Sequence, residues 1–441
     1  MTMRVAGLTR VGVLTLSTIT FVHRPVAAQP IASKYIDQVA GMALDDAIAQ
    51  ALDHEPSLRA ARTEVAVAQG MRVQAGLRPN PSVSFSQQNE PAGTDSQTRV
   101  EVQWPLDLFR RVGRVQVAEK QIDATHQAIA DRERRLAADV RMKYGEAAAA
   151  VRVLSVTDDL LAATARQHTL IRARAEEGAA PPLERDMLRV EVQRLEADRL
   201  LQAGQAERAL IELKRLIGLP ADASLTLRDP LEQLVDQEAA LALSADDARS
   251  AGTRPDVLEA EARVDVSDAQ IDRARREGRP DVSLFGMYMR MDAGFPQRGF
   301  TEVGDLARVR GVFHYFSAGA MVTVPLLNRK QGDVAAAQAQ RLGAAAQLDA
   351  ARLTAASEIA AARTRDEHAR QALAPYTSGA RGLARQNLDV IRQTYDLGRV
   401  TLFDVLNEQR RFLEVERAYT SVLHEAYEAR QALKQALGEV R

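Results

Sequence analysis

The stretch VEVQWPLDLFRRVGRV, residues 100–115, decides how the rest of the chain is read. Val100, Val102 and Trp104 alternate with Arg99, Glu101 and Gln103, a period of two that marks a strand with one apolar and one polar face. Pro105-Leu106 ends the alternation. From Arg114 to Ala175 there is then no proline, and Gly145 is the only glycine, which reads as one long helix. The passage returns as AMVTVPLLNRKQGDV, residues 320–334, with Pro325-Leu326 lying 220 positions after Pro105-Leu106. Gly178 in AEEGAAPPLERD and Gly398 in YDLGRVTLFDV share that spacing, as do Leu216-Ile217-Gly218 and Ala436-Leu437-Gly438. Arg78-Pro79-Asn80 and Arg279-Pro280-Asp281 are 201 apart, so the second copy carries 19 more residues between its two alternating stretches. A period this long is a duplicated unit, not a solenoid of short repeats.

Each copy is expected to run helix, strand, loop, strand, then two long helices. The first spans 29–218, with strands near 82–90 and 98–106 and a helical hairpin over 112–218. A connecting segment follows at 219–253. The second copy spans 254–441, with strands near 281–291 and 312–326 and a hairpin over 331–438. At about 1.5 Å per residue, some sixty helical residues span roughly 90 Å, so these rods must pack side by side. Leu154, Leu161 and Leu170 with their alanine neighbours mark the expected seam. The fold class is α+β: mainly long α-helices in a helical barrel, plus four antiparallel strands. Val83, Phe85 and Gln87, and Ala318, Ala320, Val322 and Val324, alternate as Val100 to Trp104 do. Strands of this length suit a tilted crossing of an outer membrane. Four cannot close a barrel, and an open edge cannot sit in lipid, so an oligomer must complete it. Three chains giving twelve strands is one solution among several. Trp104 then belongs to the interfacial aromatic girdle. A soluble two-sheet cap on a coiled coil is the alternative.

Composition narrows the classes. The 441 residues hold 58 Lys+Arg against 59 Asp+Glu, interspersed, which argues against nucleic-acid binding. There is no Cys, hence no disulfide, thiolate metal site or thiol catalysis. A mean hydropathy of −0.25 and the lack of any long apolar run exclude a bundle of transmembrane helices but not a β-barrel. Arg4 and Arg10 precede the apolar stretch Val11–Val22, and Val26-Ala27-Ala28 suits cleavage, so residues 1–28 read as a secretory signal. An exported, Cys-free chain suits the bacterial envelope.

No catalytic constellation emerges. His23, His54, His126, His168, His314, His368 and His424 never pair at metal-ligand spacing, and no nucleophile elbow, phosphate loop or zinc-protease motif is present. No cofactor is implied, and an enzyme is not expected. Met287, Met289 and Met291 share a strand face that suits either a soft ion such as Cu(I) or plain apolar surface. The hairpin tip Tyr395–Asn407 draws attention instead. Gly398 breaks the helix, Thr401 can cap the next one, and Asp404 sits in its first turn; Glu184 and Asp186 occupy the first tip, just after Pro182. In a ring of hairpins such acids form a charged constriction that selects cations. Plain helix capping explains Asp404 equally well.

From LDDAIAQALDHEPSLRAARTEVAVAQ to EARQALKQALG the chain resembles the TolC family of outer-membrane efflux proteins, on the duplication together with GLRPNPSVSF, VTVPLLNRKQG and YDLGRVTLFDVLNEQR. The resemblance implies a homotrimer, with a twelve-stranded barrel in outer-membrane lipid and a periplasmic tunnel of twelve helices. It also implies a periplasmic adaptor and an inner-membrane pump, of the RND type, as partners. It gives Tyr395 a role in holding the closed state and places the family's aspartate rings at Asp404 and Asn407, the latter uncharged here. Glu184 lies near the family's partner acid. The missing N-terminal Cys and the RPNP sequence lean towards the heavy-metal, CzcC-like branch. The function implied is a passive exit duct for a tripartite efflux pump. A duct for type I protein secretion and a periplasmic coiled-coil adaptor are the competing readings.

Overall fold

The computed structural model describes residues 34–91, 95–240 and 247–439; the expected signal segment lies outside them. Two short helices, α1 (Leu44–His54) and α2 (Pro56–Gly76), lead into strands β1 (Ser82–Asn89) and β2 (Ser96–Pro105). The hairpin of α3 (Arg110–Glu176) and α4 (Pro182–Leu216) follows. Helices α5 (Leu231–Ala240) and α6 (Asp247–Thr253) connect to the second copy. There α7 (Pro255–Glu277), β3 (Asp281–Phe300) and β4 (Leu306–Thr323) precede α8 (Gln331–Pro375), a π-turn (Tyr376–Ala380), α9 (Arg381–Asp396) and α10 (Leu402–Leu437).

The repeat is visible in backbone geometry. Gly178, Gly218, Gly398 and Gly438 all take positive φ, at 75°, 74°, 71° and 91°. Each ends a helix in a Schellman turn: Ala179 N–H donates to Arg174 O (2.7 Å) and Leu219 to Lys214 (2.8 Å), while Arg399 donates to Thr394 (3.1 Å) and Glu439 to Lys434 (3.1 Å). The shorter helices stack end to end. Gly218, just past α4, closes against His54, the last residue of α1 and just before α2, where a Cβ would meet the His54 carbonyl at 3.0 Å. In the second copy the Ala436 carbonyl near the end of α10 accepts from Arg254 Nη1 (3.3 Å), and Arg254 is the residue just before α7. Four rods therefore lie side by side in the order α2/α4, α3, α7/α10, α8/α9.

The seam is packed by periodicity. Leu154, Leu161 and Ile171 are buried on α3, Leu188, Leu195 and Leu213 on α4, and Leu413 and Leu423 on α10. Each fully buried leucine contributes about 1.5–3 kcal/mol relative to exposure. Leu170 does not join them; it is 49% exposed, because the helical period turns Ile171 inward in its place. Gly145 is needed for close approach: a Cβ there would stand 2.3 Å from the ring of Tyr427. Tyr144, buried beside it, donates to Met42 O (2.8 Å) and accepts from the N–H groups of Arg228 and Asp229 (both 3.2 Å), which ties α3 to the connecting segment.

The four strands form one antiparallel sheet in chain order. Strand β2 of the first copy pairs with β3 of the second, leaving β1 and β4 as edges. Two expected boundaries need correction. The strand expected at 281–291 runs to Phe300, and that expected at 312–326 spans Leu306–Thr323. The 19 extra residues extend the strand pair instead of looping out: the ladder continues past Met291–Phe313 through Gly294–Arg310 to Phe300–Leu306, while Pro325 lacks the N–H needed to prolong β4.

The register separates the two faces. Val83 faces Val102, Phe85 faces Val100, Leu284 faces Trp104 and Ala320, and Tyr288 faces Val100 and Phe316, so these residues share one apolar face. Ser84, Ser86, Arg99, Glu101 and Gln103 lie on the other. Met287, Met289 and Met291 oppose Glu101, Arg99 and Gln97, on this polar side. Gln97 Nε2 donates to the sulfur of Met289.

Candidate gating site at the hairpin tips

At the far end of the rods, α9 ends at Gly398 and the chain re-enters α10 through Thr401. The capping motif read from the sequence is formed: Thr401 N–H donates to Asp404 Oδ2 (2.9 Å), and Asp404 N–H donates back to Thr401 Oγ1 (3.4 Å). The Thr401 hydroxyl also donates to Asp404 Oδ2 (2.6 Å). These bonds from Thr401, the hydroxyl first and the backbone second, hold the Asp404 carboxyl below its ordinary pKa. Asp404 is exposed, and Asn407, one turn further on, is half-buried.

The first tip is built differently. Pro181 and Pro182 start α4 with no side-chain cap, and Glu184 sits in the first turn. Arg185 pairs with Asp186 at 2.8 Å on the surface, which lowers the Asp186 pKa. Glu184 instead reaches across to the second hairpin. Tyr395 Oη donates to Glu184 Oε2 at 2.6 Å, a bond between residues 211 positions apart. Burial first, and the Glu184 carboxylate second, push the Tyr395 hydroxyl pKa well up. Beneath this tie, Ile171, Leu188, Leu402, Val405 and Leu406 form a small apolar cluster shared by both hairpins, with Tyr395 packed against it.

The structure thus joins Tyr395 to Glu184, and Thr401 to Asp404, with Gly398 setting the turn between α9 and α10. Trp104 lies at the opposite end, where its Nε1 donates to Pro79 O at 3.2 Å on the apolar sheet face. Sequence reading missed a second polar site halfway along the rods. There Glu416 Oε2 accepts from Arg152 Nη2 (2.9 Å) and Glu416 Oε1 from Arg381 Nε (2.7 Å). Both guanidiniums stack on Tyr419, at 4.6 and 4.8 Å, and Tyr376 of the π-turn leans on the same ring at 6.2 Å. The only sequence signal was Pro375 and Gly379 inside a helical pattern. Among the described residues no cluster of three or more His, Asp or Glu side chains could hold a metal ion.

A chain with antiparallel strands at one end, and long antiparallel rods ending in two tied tips at the other, defines the class of TolC-like channels. Comparison bears this out. The outer membrane efflux protein family matches residues 47–219 and 248–439, and the chain belongs to that family. It is therefore an outer-membrane efflux protein and not an enzyme. Among solved structures, CusC aligns with a TM-score of 0.71 at 19% identity over 90% of this chain and 92% of that one. VceC of Vibrio cholerae gives 0.66 at 21% identity over 90% and 96%. The open-state MtrE channel of Neisseria gonorrhoeae gives 0.69 at 20% identity over 90% and 88%. No curated protein sequence matches.

Proposed function

We propose that three copies of this chain close into the outer-membrane exit duct of a tripartite efflux pump, through which cargo passes without any energy supplied by the duct. The observation that carries this reading is the position of the unsatisfied surfaces. Strand edge β1 adjoins the α2/α4 flank, where Val67, Met71, Val190 and Leu201 are exposed. Strand edge β4 adjoins the α8/α9 flank, where Leu342, Leu353, Leu383 and Val390 are exposed. One side of each copy thus offers a strand and apolar positions to the opposite side of the next. A head-to-tail contact of that kind closes as a ring, which leaves no strand edge in lipid. Twelve strands follow from three copies.

In this reading the apolar sheet face meets lipid, with Trp104 at the periplasmic girdle, and the methionines line the lumen. Tyr395 and Glu184 hold the two hairpins together at the periplasmic tip, and Asp404 and Asn407 form the constriction. A periplasmic adaptor and an inner-membrane pump of the RND type complete the system, and cleavage of residues 1–28 accompanies export.

The test is conductance in planar bilayers together with the operon's gene neighbours. Small, mostly closed conductances that rise in Tyr395→Phe, beside genes for an adaptor and a proton-driven pump, support the duct. An adjacent ABC exporter moves it to protein secretion, and absence from outer-membrane fractions removes it altogether.

A further inference from the structure

The apolar face of the sheet changes character part way up. On β4 the residues from Val322 through Ala320, Ala318, Phe316 and His314 to Val312 share that face by alternation. Ten residues of strand rise about 33 Å, or about 25 Å after a tilt near 40°, the height of a lipid-facing barrel band. Towards its far end the face turns basic. Arg290 pairs with His314, Arg310 with Gly294 and Arg298 with Arg308, so all four arginines lie on the side of Leu284, Tyr288 and Phe316. The register shift between Gly294 and Arg298 inserts two residues into β3, which returns Arg298 to this side.

All four arginines are exposed, and none makes an ion pair or side-chain hydrogen bond to another of the described residues. His314 is held by Tyr288, with Nδ1 2.7 Å from Oη. Asp292, opposite Val312, is the acid on the same face, and Glu302 and Asp305 sit at the turn beyond. Like charges placed directly across a strand pair repel, so Arg298 beside Arg308 costs stability unless an anion lies between them. Planar guanidiniums bind phosphate in bidentate fashion.

We infer that Arg298, Arg308 and Arg310 form a binding site for the phosphate groups of the anionic glycolipid of the outer leaflet, lipid A, at the upper rim of the lipid-facing band, with Arg290 just inside that band beside His314. The proposal rests on the reading that this face meets lipid. The apolar band below takes the acyl chains, and the arginines take the phosphates at the level where the chains end. A free anion does not account for the site's place directly above an acyl-height apolar surface.

The test titrates the purified full chain in mild detergent with lipid A and counts bound lipid by native mass spectrometry. The triple variant Arg298→Gln/Arg308→Gln/Arg310→Gln is expected to lower occupancy by about tenfold or more, given the strength of charge-assisted hydrogen bonds. Dephosphorylated lipid A should bind the wild type no better than lipid A binds the variant, and inorganic phosphate in excess should not displace lipid A. Undiminished occupancy in the variant overturns the site, and displacement by phosphate overturns the lipid as its ligand. Should the triple variant misfold, Arg308→Gln alone, expected to cost about threefold, replaces it. Phe316→Glu separates the two levels. If it inserts into membranes normally, the lipid-facing reading itself fails; if it blocks insertion while the triple variant still holds lipid A, only the site fails.

Discussion

Helix α3 and its counterpart in the second copy hold the same number of residues between Pro105 and Gly178 as between Pro325 and Gly398, yet one is straight and the other is not. Helix α3 runs 67 residues without a break. Its counterpart is divided into α8 and α9 by the π-turn at Tyr376–Ala380, where Gly379 leaves helical geometry at φ 176° and ψ −39°. The difference lies in two positions: Ser155 and Asp159 on α3 stand where the second copy has Pro375 and Gly379. Proline removes one N–H and crowds the preceding turn, and the π-turn absorbs the misfit. The bend is staked at once by Arg381 to Glu416, whose other oxygen takes Arg152 of the straight rod. One hairpin is a strut. The other is a jointed arm hinged on it, with Glu416 as the pin.

Removing the pin should have the largest effect. Glu416→Ala leaves Arg152 with the Glu232 carboxylate alone and takes from the partly exposed Arg381 its bond to Glu416; the loss of two charge-assisted bonds should destabilise the fold by about 3–4 kcal/mol in thermal or denaturant melts. Burial raises the Glu416 pKa, but the bonds from Arg152 and Arg381 outweigh it, and the net shift is downward. The carboxylate's contribution is therefore present above the ordinary value near 4.5 and lost as pH falls through the lowered folded value. Acid titration of the wild type should show a loosening there that Glu416→Gln lacks. Next in size, Ser155→Pro puts the second copy's break into the strut and should cost about 3 kcal/mol, whereas Pro375→Ala in the arm should shift stability by less than about 1 kcal/mol. Equal costs at the two positions would erase the distinction between strut and arm.

At the tip the expected effects are smaller. Tyr395→Phe removes a bond to a carboxylate and should loosen the two hairpins by about 1.5 kcal/mol, read as more frequent opening in single-channel records. Thr401→Ala breaks the cap but keeps the charge, at about 1 kcal/mol. Asp404→Ala removes both. If Asp404 belongs to the constriction, Asp404→Ala relieves block by multivalent cations and Thr401→Ala does not; identical behaviour reduces Asp404 to a cap.

Much of this was legible in the sequence because a duplication prints every element twice. Pro105 and Pro325 mark the step from strand to rod, and Gly178, Gly218, Gly398 and Gly438 mark the rod ends. The tops of β3 and β4 were less legible, since Arg298, Arg308 and Arg310 interrupt the apolar alternation that betrays a membrane strand. The tie between Tyr395 and Glu184 was hidden by distance along the chain and by the double proline that blurs the alignment of the two tips. The Arg152–Glu416–Arg381 pin was invisible, because charged residues at helical spacings ordinarily mean a solvated face, and only packing of three helices buries them.

The central claim is that this chain is an unfinished ring, completed by copies of itself. Counting the chains in the detergent-solubilised particle by light scattering tests it most directly. Three chains per particle, falling apart to single chains only on heating, is the predicted result, and a stable single chain in the membrane extract would contradict it.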